Sequence, residues 1–172
     1  SQRISCISET QNHQLLLGSN LGVFIFDENT KETVLFRKEF DNIRVDDIKW
    51  SGNNIFFATK GKGVLVLTND SIIQIDESNG LCSNLVNKLL VTGNEVWCTT
   101  NKGVSHIILN DLDSFKYTIT NIKSNDGLFS DEINDIALLN DTIYVATNYG
   151  ISFFNANTDF VNHNNPPVHI TS

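Results

Sequence analysis

The apolar residues of this chain stand in short runs separated by polar turns, and not in long helical stripes. No window of about 12 residues or more carries a clean i, i+3, i+4, i+7 apolar pattern, so the sequence predicts almost no helix. The runs at 54–59 and 95–100 are nearly all apolar, which is typical of strands covered on both faces. The run at 45–50 alternates polar and apolar residues, as a half-buried strand does. The pattern therefore predicts many short strands.

One segment recurs four times along the chain. Its core has three large apolar residues, a small residue and a hydroxyl-bearing residue, and a glycine-led apolar run follows it. The leading glycines are Gly22, Gly63, Gly103 and Gly150, at spacings of 41, 40 and 47 residues. Upstream of each core stand a β-branched residue, two mostly polar residues, and then Ile or Leu, at 4–7, 45–48, 86–89 and 133–136. We expect each glycine to adopt a positive φ or to allow a close strand approach, where a Cβ would cost energy.

The sequence of each repeat predicts four strands, except that the last repeat has no obvious fourth strand. The first strands are predicted at about 3–8, 45–50, 85–91 and 132–139, and the second at 14–19, 54–59, 95–100 and 142–147. More polar fourth strands are predicted at 33–38, 71–75 and 115–120, and only 168–171 or a segment from elsewhere could complete the last repeat. A unit of ~40–45 residues with four antiparallel strands has the period of a β-propeller blade. A β-sandwich would not repeat one signature at near-constant spacing.

The predicted fold class is all-β, with about four four-stranded antiparallel propeller blades that form a fragment of a larger propeller. The blades are expected at about 1–41, 42–77, 78–123 and 124–160, and 161–172 is expected to be a linker that contains the only two prolines. Three outcomes are open for such a fragment: closure as a small ring, pairing of two arcs, or distortion. An open arc of blades would expose apolar faces at both ends, which favours self-association.

Composition narrows the class of protein further. The 172 residues fit one domain at ~100–200 residues per domain, and the formal net charge of −8 argues against a nucleic-acid partner, because acidic chains repel phosphates. No apolar run approaches the ~20 residues that cross a bilayer, so a membrane could be reached only through flanking segments. The 23 asparagines suit turns, because Asn tolerates left-handed backbone conformations.

No arrangement of residues in the sequence predicts catalysis. His106 falls where the other repeats carry Val, Ile or Phe, so it is interpreted as structural. Cys6 and Cys98 are interpreted as core residues, and His163 and His169 have no partner at a metal-ligand spacing. The sequence therefore predicts no enzyme activity in this segment, no metal site and no cofactor. A propeller enzyme that uses a His and a metal at a central channel is the third alternative.

Two motifs carry a resemblance to a known family. The lead-in segments 79–84 and 126–131 read Asn-Gly-Leu-Cys-Ser-Asn and Asp-Gly-Leu-Phe-Ser-Asp, and 100–104 and 147–151 close the same repeats with Thr-Asn-x-Gly-Val/Ile. This resembles the two-component regulator propeller repeat of sensor histidine kinases, hybrid kinases included, of the Bacteroidetes. The first two repeats lack the Gly-Leu-x-Ser lead-in. The segment 164–171 is similar to the junction with an immunoglobulin-like domain that follows such propellers.

The resemblance implies a non-catalytic sensor module in the periplasmic, extracytoplasmic part of an inner-membrane protein. Such a module binds an external cue, often carbohydrate-derived, and relays it through adjacent domains of the same protein to the kinase. The expected ligand is an oligosaccharide or another small molecule, and the net charge of −8 favours a neutral one. The alternative is a propeller scaffold for protein–protein interaction without a small-molecule ligand.

Two sets of loop residues are candidates for ligand binding, because rigid scaffolds place function on their loops. The loops between second and third strands supply Asn20, Lys60, Lys62, Asn101, Lys102, Asn148 and Tyr149. The lead-in loops supply Asn79, Cys82, Asn84, Phe129 and Asp131.

Overall fold

A computed structural model describes residues 2–10, 12–111, 116–160 and 169–171. Within them the chain forms four antiparallel sheets of four strands each, in which sequence neighbours pair. Sheet 1 contains β1 (Ile4–Glu9), β2 (Leu15–Ser19), β3 (Gly22–Phe26) and β4 (Thr33–Leu35). Sheet 2 contains β5 (Val45–Ser51), β6 (Asn54–Thr59), β7 (Val64–Thr68) and β8 (Ser71–Ile75).

The second half of the chain repeats this order. Sheet 3 contains β9 (Val86–Thr92), β10 (Glu95–Thr100), β11 (Gly103–Asp111) and β12 (Lys116–Ile122). Sheet 4 contains β13 (Ile133–Leu139), β14 (Thr142–Thr147), β15 (Gly150–Asn155) and β16 (His169–Thr171). Short 3₁₀ turns lie at Lys38–Phe40, Glu77–Asn79 and Ser124–Asp126. The prediction of an all-β fold with almost no helix is confirmed.

The tight turns of the hairpins are formed by residues that tolerate a positive φ. Gly52 and Gly93 each open a two-residue loop with φ of 55° and 58°, where glycine has no steric penalty. Asn140 and Asp141 both adopt positive φ, at 47° and 60°, as both central residues of a type I′ turn must. These turns match the right-handed twist of the strands they join, and so they set the register of each hairpin.

At the start of the third strands of sheets 2 and 3, glycine is required by space as well as by backbone angle. Gly63 has a φ of 70°, and a Cβ on it would stand 2.2 Å from the carbonyl oxygen of Ile75. Gly103 has a φ of 118°, and a Cβ on it would stand 2.5 Å from the oxygen of Ile122. The prediction of a positive φ or a close approach is confirmed at these positions.

Successive sheets pack face to face and form three hydrophobic clusters. Between sheets 2 and 3, Phe56, Ala58 and Val64 are buried against Val86 and Leu89. Equivalent clusters lie between sheets 1 and 2 and between sheets 3 and 4. The first strands β1, β5, β9 and β13 run side by side along this series. The sheets therefore form a continuous series, in which each first strand lies next to the first strand of the following sheet.

The strand boundaries agree with the sequence prediction to within two residues, except at β4. The strand predicted at 33–38 ends at Leu35, because the chain turns so that Phe40 can pack on Phe57 with a ring separation of 4.4 Å. Sheet 4 is completed by His169–Thr171, which pairs with β15, so the first of the two options for the missing strand, 168–171, is confirmed. The linker predicted for 161–172 remains a prediction, and 161–168, with His163 and both prolines, lie outside the described residues.

The outer faces of sheets 4 and 1 are exposed. Tyr144 and Ile151 on sheet 4 are 36% and 47% exposed, and Ile7 on sheet 1 is 65% exposed. In the described part of the chain, no strand of sheet 4 packs on sheet 1 as closely as successive sheets pack on each other. The exposed apolar ends that the sequence predicts for an arc are thus present.

Candidate functional site

A β-bulge interrupts the first strand of every sheet at the same repeat position. In β1, Ile4 and Cys6 pair with successive residues of β2, which leaves Ser5 between them without a partner in β2. The bulged residues of the four repeats are Ser5, Asp46, Asn87 and Asn134. A bulge redirects a side chain that regular alternation would point elsewhere. Each repeat thereby contributes one small polar side chain at the same level.

These four residues line one cavity of about 390 Å³, which we call the first-strand cavity. Its lining also includes Arg3, Ile4, Arg44 and Lys88. Every sheet contributes to the wall, so the cavity exists only because the four repeats fold together. Its volume lies within the range of small-molecule sites, roughly 300–1,000 Å³.

Ion pairs organise the side of the cavity formed by sheet 2. Arg44 donates two hydrogen bonds to Asp46, from Nε at 2.8 Å and from Nη2 at 3.1 Å. The carboxylate of Asp46 also lies 3.5 Å from Nζ of Lys60, and this ammonium donates a hydrogen bond to Oδ1 of Asn87. Burial lowers the pKa of Lys60, partly offset by Asp46, and Asp46 raises the pKa of Arg44. One carboxylate is thus shared by two cations.

Three of the loop residues proposed from the sequence support the cavity wall. Oδ1 of Asn20 accepts a hydrogen bond from the backbone N–H of Arg3 at 2.6 Å. Oδ1 of Asn148 accepts one from Nδ2 of Asn134 at 2.8 Å. Together with Lys60, these residues hold the lining in place from the loops between second and third strands.

The remaining candidates of that set do not line the first-strand cavity. Lys102 forms an ion pair with Glu77 at 2.7 Å, and Tyr149 is 74% exposed. Lys62 and Asn101 are exposed on their loops. Their roles in binding stay predictions.

The lead-in loops are held mainly by their own hydrogen bonds. Oδ1 of Asn84 accepts from the N–H of Glu77 at 2.8 Å, and Oδ1 of Asp131 accepts from the N–H of Ser124 at 2.6 Å. Asn79 caps its own turn. Phe129 is half-buried, and its N–H donates to Oγ of Ser152 at 3.0 Å, whereas Cys82 is buried. These contacts give the loops a structural task, and the prediction that Phe129 binds ligand stays open.

The histidine and cysteine side chains of the sheets have structural environments. His106 stacks on Trp97 with a ring separation of 3.6 Å, and its Nε2 lies 2.9 Å from Glu95. Burial lowers the pKa of His106, partly offset by Glu95. Burial raises the thiol pKa of Cys6 to about 11 and also raises that of Cys98. Among the described residues, no three or more His, Cys, Asp or Glu side chains form a potential metal site.

Sequence reasoning missed the four bulged residues as a set. A signal was present, because each first strand carries two mostly polar residues between apolar ones, as in Val45-Asp46-Asp47-Ile48. Regular alternation would put Val45 and Ile48 on opposite faces, yet both are buried in the same cluster. A bulge resolves the conflict, since it sends Asp46 into the cavity and Asp47 into the contact with sheet 3.

The fold is similar to those of extracellular domains from B. thetaiotaomicron. The domain assigned to the hybrid two-component system BT3049 matches with a TM-score of 0.70 and 23% identity, over 88% of this chain and 21% of that one. The domain assigned to the hybrid two-component system BT4673 matches with a TM-score of 0.72 and 17% identity, over 99% of this chain and 24% of that one. This chain thus spans about a fifth to a quarter of their length.

A computationally designed protein, Ika4, also shares the fold, with a TM-score of 0.63, 14% identity and coverage of 89% of this chain and 91% of that one. No family model matches the chain, and neither does any curated protein. The described residues contain no helix long and apolar enough to span a membrane. The resemblance carried by the repeat motifs is confirmed at the level of the fold, which the chain shares with these two extracellular domains of two-component systems.

Proposed function

We propose that the four sheets are consecutive blades of a larger β-propeller. Tyr144 and Ile151 of sheet 4 occupy the repeat positions of Phe56 and Val64 of sheet 2, which are 1% and 0% exposed under sheet 3. On sheet 4 the same positions line an open apolar groove with Ala137 and Ala146. An additional sheet of the same kind would bury this groove as sheet 3 buries sheet 2.

A second pair of equivalent residues supports the same proposal. Oδ2 of Asp47 accepts a hydrogen bond from the N–H of Leu89 in the next sheet at 3.0 Å. Asp135 occupies the same repeat position in sheet 4. Its Oδ1 accepts a hydrogen bond from the N–H of Ile136 at 2.9 Å, as Oδ1 of Asp47 does from the N–H of Ile48 at 3.0 Å. Asp135 is exposed, so its second oxygen is available to a further first strand.

The proposed biochemical role is that of a non-catalytic sensor module, without a cofactor, in the extracytoplasmic part of a two-component signalling protein of the inner membrane. The fold shared with extracellular domains of two-component systems and the repeat motifs support this role. The observation that carries it is the first-strand cavity, in which all four repeats present one polar side chain to the same space. A ligand such as an oligosaccharide could contact four sheets at once.

Signalling through such a site requires differential affinity. A ligand shifts an equilibrium between two arrangements only if it binds one of them more tightly. Because the first strands of all four sheets meet at the cavity, a bound ligand would favour the arrangement that places all four bulges within hydrogen-bond reach. The adjacent domains of the full protein would then transmit this change in the arrangement of the sheets.

The experiment uses the full-length protein and a transcriptional reporter of its response regulator. A panel of neutral and uronic-acid oligosaccharides is first screened for a rise in the Tm of the 172-residue chain. We expect Ser5→Ala and Asn134→Ala to abolish both the Tm shift and the reporter response, with Asn157→Ala, an exposed asparagine outside the cavity, as the matched control. An unchanged response in both cavity variants would refute the sensor site.

The exposed groove of sheet 4 favours a second candidate, a scaffold for protein–protein interaction without a small ligand. This function predicts that no small molecule raises the Tm and that the cavity variants behave like the native protein. It also predicts that Tyr144→Arg abolishes complex formation. The cavity variants therefore distinguish the two functions, because the sensor function also needs the groove for a further sheet.

A further inference from the structure

The first-strand cavity is cationic although the whole chain is acidic. Its lining contains Arg3, Arg44 and Lys88 but only one carboxylate, that of Asp46. Lys60 adds a fourth cation, because it contacts both Asp46 and Asn87. Local charge, and not the formal net charge of −8, sets the potential that a ligand in this cavity meets.

The single carboxylate is already neutralised within the protein. Asp46 accepts two hydrogen bonds from Arg44 and lies 3.5 Å from Lys60, and its side chain is only 14% exposed. In contrast, the guanidinium of Arg3 and the ammonium of Lys88 have no hydrogen bond or ion pair within the described residues. Two cations without an ion pair, Arg3 just before β1 and Lys88 on β9, therefore line the cavity.

The neutral groups of the lining complement these cations. Ser5 offers a hydroxyl and Asn134 an amide group that can hydrogen-bond to hydroxyls of a ligand, whereas the amide of Asn87 already bonds Lys60 through Oδ1 and the carbonyl of Ile133 through Nδ2. A cluster of hydrogen-bonding groups beside fixed cations recognises a polyhydroxylated molecule with an acidic substituent, because Arg and Lys form charge-assisted bonds to oxyanions. The cavity volume of about 390 Å³ accommodates a mono- or disaccharide.

We propose that the first-strand cavity binds a small sugar-like anion that carries a carboxylate or a sulfate group, held by Arg3 and Lys88 and oriented by the bulged residues. This inference rests on the proposed function, because it names the ligand class of the same cavity. It replaces the neutral ligand expected from net charge with an anionic one. The whole-chain charge then acts only on long-range approach, which salt screens.

The test is an NMR titration of the ¹⁵N-labelled 172-residue chain with sodium glucuronate, glucose 6-sulfate and glucose. We expect both anions to shift the amide signals of Ser5, Asn87 and Asn134, and glucose to bind at least tenfold more weakly. Anion affinity should also fall when NaCl is raised from about 0.05 to about 0.5 M, as for charges in partial contact with solvent. Comparison of the two anions shows which acidic group is preferred.

Charge variants separate recognition from stability. We expect Arg3→Gln and Lys88→Gln each to weaken glucuronate binding roughly tenfold, the effect of one lost charge-assisted hydrogen bond. Lys38→Gln, an exposed lysine on the turn after β4, is the matched control and should leave binding unchanged. Asp46→Asn should strengthen binding several-fold, because it removes the only carboxylate of the lining and releases Arg44. Thermal unfolding of each variant checks that it is folded.

The possible outcomes distinguish this inference from the function on which it rests. Equal binding of glucose and glucuronate at the cavity would overturn the anion proposal and leave the sensor site standing. Absence of shifts with either anion at about 10 mM, or weaker binding by Asp46→Asn, would also overturn it. Loss of the reporter response in the cavity variants, measured separately, decides the sensor function itself.

Discussion

The hydrogen bond that Asp47 accepts from sheet 3 allows the contribution of inter-sheet contacts to stability to be measured. Its side chain is 7% exposed, and it accepts from the N–H groups of Ile48 and Leu89, both at 3.0 Å. Asp47→Ala removes both acceptors and leaves the N–H of Leu89, which is only 3% exposed, without this partner. Asp135 provides the control, because it makes the equivalent local bond but faces no further sheet in the structure.

The expected loss of stability in each variant follows from the environments of Asp47 and Asp135. A hydrogen bond to a charged group contributes about 1.5–3 kcal/mol, and a buried donor left unpaired costs about 1–3 kcal/mol. Water can replace the carboxylate at exposed Asp135, so Asp135→Ala should cost no more than about 1 kcal/mol. We therefore expect Asp47→Ala to lower the free energy of unfolding by about 2–4 kcal/mol, roughly 2 kcal/mol more than the control. Asp47→Asn keeps one acceptor and should fall between them.

The assay is equilibrium unfolding in urea, followed by the fluorescence of Trp50 and Trp97, which lie in sheets 2 and 3. Equal m-values in the two alanine variants would show that the same surface is exposed on unfolding. If Asp47→Ala and Asp135→Ala destabilise the chain equally within about 0.5 kcal/mol, the inter-sheet bond contributes nothing and the argument from repeat equivalence fails.

Three further predictions follow from single sites. In urea unfolding, Gly63→Ala should destabilise the chain by at least about 2 kcal/mol more than Gly52→Ala. A Cβ at position 63 would meet the oxygen of Ile75, whereas a Cβ at position 52 would meet nothing within 4 Å. Equal losses of stability in the two variants would contradict this reasoning. Because the thiol pKa of Cys6 is raised to about 11 from the ordinary 9.0, the unfolded chain loses this proton first, so stability should fall as pH rises from 9 toward 11, less so in Cys6→Ala. The lowered pKa of His106 means that the unfolded chain binds the proton first, so stability should fall as pH drops below about 6.5, and a His106→Gln variant with the same pH dependence would refute the assignment.

The strands and turns could be predicted from the sequence because their causes are local. The second strand at 54–59 and the one at 95–100 coincide with β6 and β10, since unbroken apolar runs between turn residues permit little else. The glycines that begin the third strands were predicted for the same reason, because a positive φ is a property of one residue. Lys60 and Asn148 were proposed from the sequence as ligand-binding loop residues, which stays a prediction, and the structure adds that they contact the cavity wall.

The cavity could not be predicted, because it depends on residues that are far apart in the sequence. Ser5 and Asn134 meet at one space only after four sheets have stacked and four bulges have turned their side chains inward. A bulge is a property of the pairing between two strands, so the sequence shows two adjacent polar residues but not which of them is expelled from the ladder. The local excess of cations has the same origin, since Arg3 and Lys88 are 85 positions apart.

By itself, then, the amino-acid sequence determined the all-β class, the number of repeats and most strand and turn positions, because hydrophobic alternation and turn chemistry act over a few residues. Tertiary structure decided which polar side chain of each repeat reaches the cavity and which apolar positions remain uncovered. Tyr144 and Phe56 have equivalent places in their repeats, and only the presence of a next sheet makes one exposed and the other buried. Burial is a property of the neighbour as much as of the residue, and the neighbour is set by the fold.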